Sequence, residues 1–293
     1  ILVILPLYGL YAVLLAAILF KRGKPTFSGL VFSGMLFGLY EAYMTKVLWQ
    51  PPWGAPLILA EIAVVEVFVL VFWWHTWFAF ITPLLLAEQL LTSTRPILNA
   101  LPGKLRNFFA SWKGWLAVLV FGGFFQSVNS PSISASLLSG AVNGAVLLFL
   151  TWLWQRVTKE KRYTLPELLP NRIEFIALSL WLAALYIFLG LFITPERIPG
   201  AVGQGIIRLM YLLLTLLLIL SLRSTHTDHK PVPPGPAIPT HRWLLLWCAF
   251  TATLVLAKAL LGSLSGVIIL LSWFGGSVFG AAMFVRGVLF LRQ

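Results

Sequence analysis

FSGLVFSGMLFGLYEAYMTKVLW, residues 27–49, carries two charged side chains in 23 positions and ends on Gln50, Pro51 and Pro52. A hydrocarbon core about 30 Å thick is crossed by roughly 20 mostly apolar residues in a helix, and two consecutive prolines cannot continue one. The stretch therefore reads as a membrane-spanning helix. On one side of it lies Ile1–Phe20, closed by Lys21, Arg22, Gly23, Lys24 and Pro25, and on the other a third apolar run from Pro56 to about Trp77. Six further runs follow at 114–127, 132–154, 173–193, 205–222, 243–261 and 266–291, of which 114–127 is short and contains Gly122 and Gly123. The predicted fold is all-α, a polytopic transmembrane helix bundle of about nine spans in a single domain, because backbone groups inside lipid must be satisfied within each segment.

The composition agrees with this reading. Of 293 residues, 59% are hydrophobic and 10% charged, with a mean hydropathy of +0.92, where soluble chains sit near half and a quarter. A soluble, disordered, fibrous or disulfide-stapled protein is excluded. Cys248 is the single cysteine, so no internal disulfide or cysteine zinc cluster exists, and it reads as a small buried hydrophobe in the eighth helix.

A net charge of +12 would point a soluble protein toward nucleic acid. Here the distribution decides otherwise. Lys21, Arg22 and Lys24, then Arg95, Lys104, Arg106 and Lys113, then Arg156, Lys159, Lys161, Arg162 and Arg172, then Arg223, Lys230 and Arg242, and finally Arg286 and Arg292 fall in alternate loops. Positive residues stay on the cytoplasmic side, which places the N-terminus outside and the C-terminus in the cytoplasm of a multi-pass cell-membrane protein. Only Lys46, Arg197, Arg208 and Lys258 lie toward the outer side, balanced there by Glu41, Glu61, Glu66 and Glu196. The net charge thus becomes a basic inner rim, a surface for anionic lipid headgroups rather than for nucleic acid. The basic residues follow the first apolar run instead of preceding it, so that run is expected to be a retained helix and not a signal peptide.

Between Phe78 and Trp112 the chain is apolar but interrupted by Pro83, Pro96 and Pro102. A straight helix from Pro56 to Leu91 would be about 55 Å long, so a bend near Pro83 is expected. The spacing of Ile97, Leu98, Leu101, Leu105, Phe108, Phe109 and Trp112 predicts an interfacial amphipathic helix or a connector touching headgroups. The Pro-rich inner loop 224–241 holds His226, Asp228 and His229. Without cysteines or a rigid element it offers no preformed metal geometry, so it reads as an extended linker, and neither a metal nor a cofactor is expected. Small residues recur four apart as Gly34/Gly38/Ala42, Ser132/Ser136/Gly140/Gly144 and Ser272/Gly276/Gly280. Such ridges admit close backbone approach, which predicts that these three helices form the inner bundle.

Ionisable residues within spans are costly and usually face a bundle interior or cavity. Counting from the outer helix ends, Glu41 lies about 12 Å deep, Lys46 about 4–5 Å, Glu61 about 7–8 Å and Glu66 about 15 Å. Depth pairs Lys46 with Glu61 and Glu41 with Glu66. Glu41 projects from the glycine face, flanked by Tyr40 and Tyr43, whose hydroxyls can donate to a carboxylate, and Arg208 and Lys258 lie in the same outer layer about 4–5 Å deep. His75, among Trp73, Trp74 and Trp77, reads as a residue of the inner aromatic belt. Three functions fit the outer cluster. One is an ion or solute transporter with Glu41 and Glu66 as proton or cation ligands. The second is an enzyme acting on a lipid-linked substrate, with one glutamate as base and the cations holding phosphate. In the third the charges neutralise one another in a structural or accessory subunit of a membrane complex. No diphosphate, nucleotide or histidine metal motif supports the enzyme.

Overall fold

The computed structural model describes residues 4–22, 25–51, 53–55, 57–159, 161, 163–192, 194–223, 240–261 and 264–291. They form α1 (Ile4–Arg22), α2 (Phe27–Met44), a hairpin of β1 (Ile58–Leu59) and β2 (Ile62–Ala63), α3 (Val64–Glu66), a π-helix (Val67–Ile81) and α4 (Thr82–Leu91). There follow α5 (Pro96–Ala100), α6 (Gly103–Ala110), α7 (Trp112–Asn129), α8 (Ile133–Thr158), α9 (Leu165–Leu168), α10 (Arg172–Phe192), α11 (Ala201–Arg223), α12 (Thr240–Leu260) and α13 (Leu264–Phe290). The all-α, multi-pass architecture read from the sequence is the one found. Among the described residues six helices are long and apolar enough to cross a membrane, or seven if α6 and α7 count as one bent span. The figure of about nine also counts α1, whose apolar part is the shorter stretch Leu7–Lys21, and α2, which carries Glu41 in its last turn. The loop 224–241 with its three candidate ligands lies, up to residue 239, outside the described residues.

The contacts divide the chain into two compact units, residues 1–84, 165–228 and 274–293 in one and 85–164 and 229–273 in the other. In the first unit α2 is the central helix. Thr26 stays extended and its hydroxyl accepts the Gly29 N–H at 3.1 Å, satisfying a donor that the first helical turn leaves open. From there α2 is buried almost throughout. Its glycines are the reason: a Cβ on Gly34 would stand 2.8 Å from Thr76 Cγ2, and one on Gly38 3.0 Å from His75 Cβ and 3.1 Å from Val71 Cα. The π-helix therefore lies directly on the α2 backbone. On another side, Leu7 and Leu14 of α1, Tyr40 and Met44 of α2, and Leu182 and Leu189 of α10 share one apolar core.

Two expectations for this region are corrected. The third helix starts at Val64, not Pro56, because Ile58 and Leu59 pair with Ala63 and Ile62 as a hairpin. The two residues at its tip, Ala60 and Glu61, both have positive φ, 48° and 64°, the backbone of a tight hairpin turn. Thus shortened, the helix Val64–Leu91 has 28 residues and measures at most about 42 Å. The length of about 55 Å expected from Pro56 to Leu91 is the second correction, and next to Pro83, at Thr82, the winding passes from π to α.

In the second unit α7 packs on α12, and α8 on α12. Ser111 ends α6 and caps α7, its hydroxyl accepting the Gly114 N–H at 3.0 Å, and the two helices meet at 84°. The expected amphipathic helix is thus split: α5 stops at Leu101, which is extended ahead of Pro102 as the residue before proline prefers. Of its apolar positions Ile97, Leu98, Leu101 and Phe109 are buried, whereas Phe108 and Trp112 are exposed. Glu88 ties the region together by accepting the Ile97 and Leu98 N–H groups at 2.6 and 3.1 Å.

Two of the three small-residue ridges, those of α2 and α13, meet on the π-helix, and the two helices touch where Ser28 donates to the Gly287 carbonyl at 2.7 Å, whereas the ridge of α8 packs on α12 in the second unit. Gly34 and Gly38 face the π-helix, Gly140 and Gly144 face Thr251 and Trp247 of α12, and Gly276 and Gly280 face Trp73 and Phe72. Only α2 is an inner helix; α8 buries no more than Ser136, Gly140 and Gly144. Each ridge seats one neighbour, which is all that close packing requires. Cys248, expected to be buried, is exposed on α12, because that helix turns Leu246 and Leu254 inward instead.

Candidate functional site

Gly38 and Glu41, three residues apart, share a face of α2. Because Gly38 brings the π-helix into backbone contact, the longer Glu41 side chain on that face meets what the π-helix presents there, which is His75. Glu41 Oε2 is 2.8 Å from His75 Nε2. From α1, Tyr8 donates its hydroxyl to Glu41 Oε1 at 2.6 Å. Glu41 is 8% and His75 6% exposed, so this charge-bearing pair is enclosed by protein.

The far side of the imidazole fixes the protonation. His75 Nδ1 lies 3.1 Å from the Leu70 carbonyl oxygen, and a carbonyl only accepts, so Nδ1 carries a hydrogen. A hydrogen bond between Nε2 and Oε2 then requires one more proton between them, on the imidazole or on the carboxyl group. The proton shared across this contact gives two forms, imidazolium–carboxylate and imidazole–carboxylic acid, of the same net charge. The π winding makes this geometry: Leu70 and His75 are five residues apart, as are Val71 and Thr76, whose hydroxyl donates to the Val71 carbonyl at 2.6 Å. Extended π segments are rare and tend to occur at functional sites.

Aromatic rings wall the triad. Phe37 lies 5.6 Å from Tyr8, 6.0 Å from Tyr11, 6.4 Å from His75 and 5.8 Å from Phe80, centroid to centroid. Tyr11 meets Tyr40 at 4.4 Å, Tyr40 meets Tyr186 at 5.3 Å, and Tyr186 stacks on Tyr43 at 5.0 Å and 12°. Six of the chain's seven tyrosines lie in this unit, and five of them, from α1, α2 and α10, are joined by these ring contacts.

Neither depth pairing is observed. Lys46, buried and left-handed at φ 60°, donates to the Gly190 carbonyl at 2.8 Å and lies 5.2 Å from the Tyr43 ring, not against Glu61. Glu61 is exposed at the hairpin tip and accepts the Gly203 N–H at 2.9 Å. Glu66, expected deep, sits in the first turn of its helix and is buried, with Oε1 accepting the Trp53 indole N–H at 3.1 Å. Its Oε2 has no partner among the described residues. The hairpin moved the helix start by eight residues, which lifted Glu66 to the helix end and brought His75 level with Glu41. Tyr43 packs between Tyr186 and Trp49 rather than donating to Glu41. Arg208 is exposed and bonds Gln204 at 3.1 Å, and Lys258 is half-buried in the second unit.

His75, read from the sequence as a belt residue, is a buried partner of Glu41, and Tyr8, which no spacing rule marks, joins them from α1. A signal for the first was present: the chain has four histidines, and the other three, His226, His229 and His241, lie in or beside the Pro-rich loop. The lone histidine of a span, on the helix next to a buried glutamate, is the natural partner for it.

Residues 1–293 match the model of a family described as an uncharacterised membrane protein family. An uncharacterised protein of Archaeoglobus fulgidus is 36% identical over 229 residues, covering 78% of this chain and 70% of that one. No solved structure matches the chain.

Proposed function

The chain belongs to that family of membrane proteins, and from this premise we propose that it is a proton-linked solute carrier of the cell membrane, with Glu41 and His75 as the proton site. The observation that carries the reading is the enclosed Glu41–His75 contact at 2.8 Å with Tyr8 on its other oxygen. Ionisable groups at membrane depth are expensive to keep and characteristically serve proton relays and substrate paths. Loss of the shared proton leaves one buried carboxylate, still bonded by the Tyr8 hydroxyl, and a neutral imidazole, so a single charge and not two is left to be compensated by a co-transported cation or substrate.

The π-helix supports the same reading. Its five-residue spacing lets the Leu70 carbonyl hold Nδ1 while Nε2 faces Glu41, and π segments frequently mark functional sites. Glu66, nine residues earlier on the same continuous helix, offers an oxygen without a partner among the described residues and is the outer station for a proton or cation.

The test uses purified protein in liposomes loaded with a pH-sensitive dye and challenged in turn with amino acids, sugars, organic acids and inorganic cations. One class is expected to draw protons across the membrane. That flux should fall at least tenfold in Glu41→Gln and His75→Ala and persist in Arg208→Gln. Proton flux at the wild-type rate in Glu41→Gln, or no proton movement with any class, overturns the proposal.

A further inference from the structure

The second unit contains a crevice of about 560 Å³ bordered by α4, α7, α8 and α12, within the size range of ligand sites. Its wall is apolar apart from Gln89, Thr151, Gln155 and the indole edges of four tryptophans, Trp115, Trp152, Trp243 and Trp247, and no acidic residue lines it. The indoles fix its shape. Trp115 donates to the Phe109 carbonyl and Trp247 to the Gly140 carbonyl, both at 2.9 Å, and Gly144 is bare so that the Trp247 ring can lie against α8.

The exposed charges in the helix turns that frame it are positive and lie at one end, while Glu88, next to Gln89 on α4, is buried with its carboxylate on the Ile97 and Leu98 N–H groups. Trp115 and Trp243 stand in the first turns of α7 and α12, and Thr151, Trp152 and Gln155 in the last turns of α8. Those same turns carry the exposed Lys113, Arg242 and Arg156. Arg156 rests on the rim itself, its guanidinium 5.3 Å from the Trp152 ring. The crevice is also braced from α6, where the Phe109 carbonyl accepts from both Trp115 and Gln89. One turn before Phe109 on that helix face is Arg106, whose Nε and one Nη are buried with no acceptor among the described residues. Two buried guanidinium donors without an acceptor need an anion or water, and guanidinium is the group that best fits phosphate oxygens.

We propose that this crevice binds one anionic phospholipid, with an acyl chain among Leu86, Leu119, Leu147 and Leu148 and the phosphate held by Arg106 and Arg156. The apolar wall accounts for the chain, the tryptophans for the headgroup level at which indoles settle, and the one-sided positive charge for selection of an anionic over a zwitterionic head. This site is independent of the Glu41–His75 pair.

Native mass spectrometry of the full chain in detergent, titrated separately with phosphatidylglycerol and with phosphatidylcholine of identical chains, tests it. One phosphatidylglycerol should be retained at a concentration at least tenfold below that needed for phosphatidylcholine. Arg106→Gln with Arg156→Gln should erase the preference, and Leu148→Trp, which fills the crevice, should abolish retention of both lipids. Should Arg106→Gln fail to fold, Arg156→Gln alone, at an exposed position, should still lower the preference at least threefold. Equal retention of the two lipids by the wild-type chain, or a preference unchanged in Arg156→Gln, overturns the proposal.

Discussion

His75→Ala and Glu41→Gln remove the same ion pair yet should differ sharply in stability. Glutamine matches glutamate in shape. Its carbonyl oxygen still accepts the Tyr8 hydroxyl, now bonded at 2.6 Å, and its NH₂ donates to Nε2 of a neutral imidazole whose Nδ1–H stays on Leu70. Both hydrogen bonds survive, so Glu41→Gln should change stability by less than about 1 kcal/mol. Alanine at 75 leaves Glu41 Oε2 buried without a partner, and stranding one member of a buried pair costs about 3–5 kcal/mol. In the double variant the stranded group is a neutral amide, for which about 1–3 kcal/mol applies. Glu41→Gln should therefore stabilise the His75→Ala protein by about 2 kcal/mol, a coupling large enough to resolve in a double-mutant cycle. Reversible denaturation in mixed micelles, followed by circular dichroism and tryptophan fluorescence, measures all four proteins. Costs that add to within about 0.5 kcal/mol, or a Glu41→Gln loss as large as that of His75→Ala, would refute the assigned contact.

The other expectations concern packing, capping and orientation. Gly38→Ala presses a methyl group against His75 and the Val71 backbone at 3.0–3.1 Å and should cost about 1–3 kcal/mol by overpacking, whereas Gly9→Ala, with nothing within 4 Å, should be neutral or stabilising in thermal unfolding. Glu88→Ala strands the Ile97 and Leu98 N–H groups, at about 1–3 kcal/mol for each; Glu88→Gln, which keeps one acceptor, should lose about half as much in the same assay. A cysteine at Trp53, an exposed position, in a Cys248→Ala background should react with an impermeant maleimide in intact cells, and reaction only after permeabilisation would reverse the expected orientation.

Helix positions were legible because hydropathy reports them directly: every apolar run marked in the sequence contains a long helix in the structure, although the third opens as a hairpin. The partners of the buried charges were not, and the reason is local. Depth along a helix is counted from its end, and two short features moved that end. Ala60 and Glu61 make a hairpin turn without glycine or asparagine, so nothing at the tip advertised it, and Val67–Ile81 winds with a π register that an α-helical spacing rule cannot anticipate. A depth count that lacks both sets Glu66 beside Glu41, where the structure has His75. Glu41 itself was correctly read as facing the close-packed side, since that inference used only Gly38 and the α-helical period, which holds in α2. The Lys46 contact was illegible for another reason: its acceptor is a main-chain carbonyl, Gly190, and carbonyls leave no mark in a sequence.

The hairpin has one more consequence. Its second strand returns to the end of α2 through the Ala63 N–H on the Leu48 carbonyl at 2.7 Å, and its tip reaches α11 through Glu61, against which Gly200 and Gly203 leave room of 2.6 and 2.9 Å from a notional Cβ. The crossing between α2 and the π-helix is therefore tied on both sides, independently of the exposed tether at Trp53 and Gly54. Covalent continuity at that tether contributes little to holding the crossing together. A chain severed there and produced as two polypeptides keeps the glycine face of α2 and the Leu48 acceptor on one piece and their counterparts on the other, and exposed tips of this kind tolerate insertions. The turn at Trp53 and Gly54 is thus where a reporter domain is expected to be accepted without unseating Glu41 from His75.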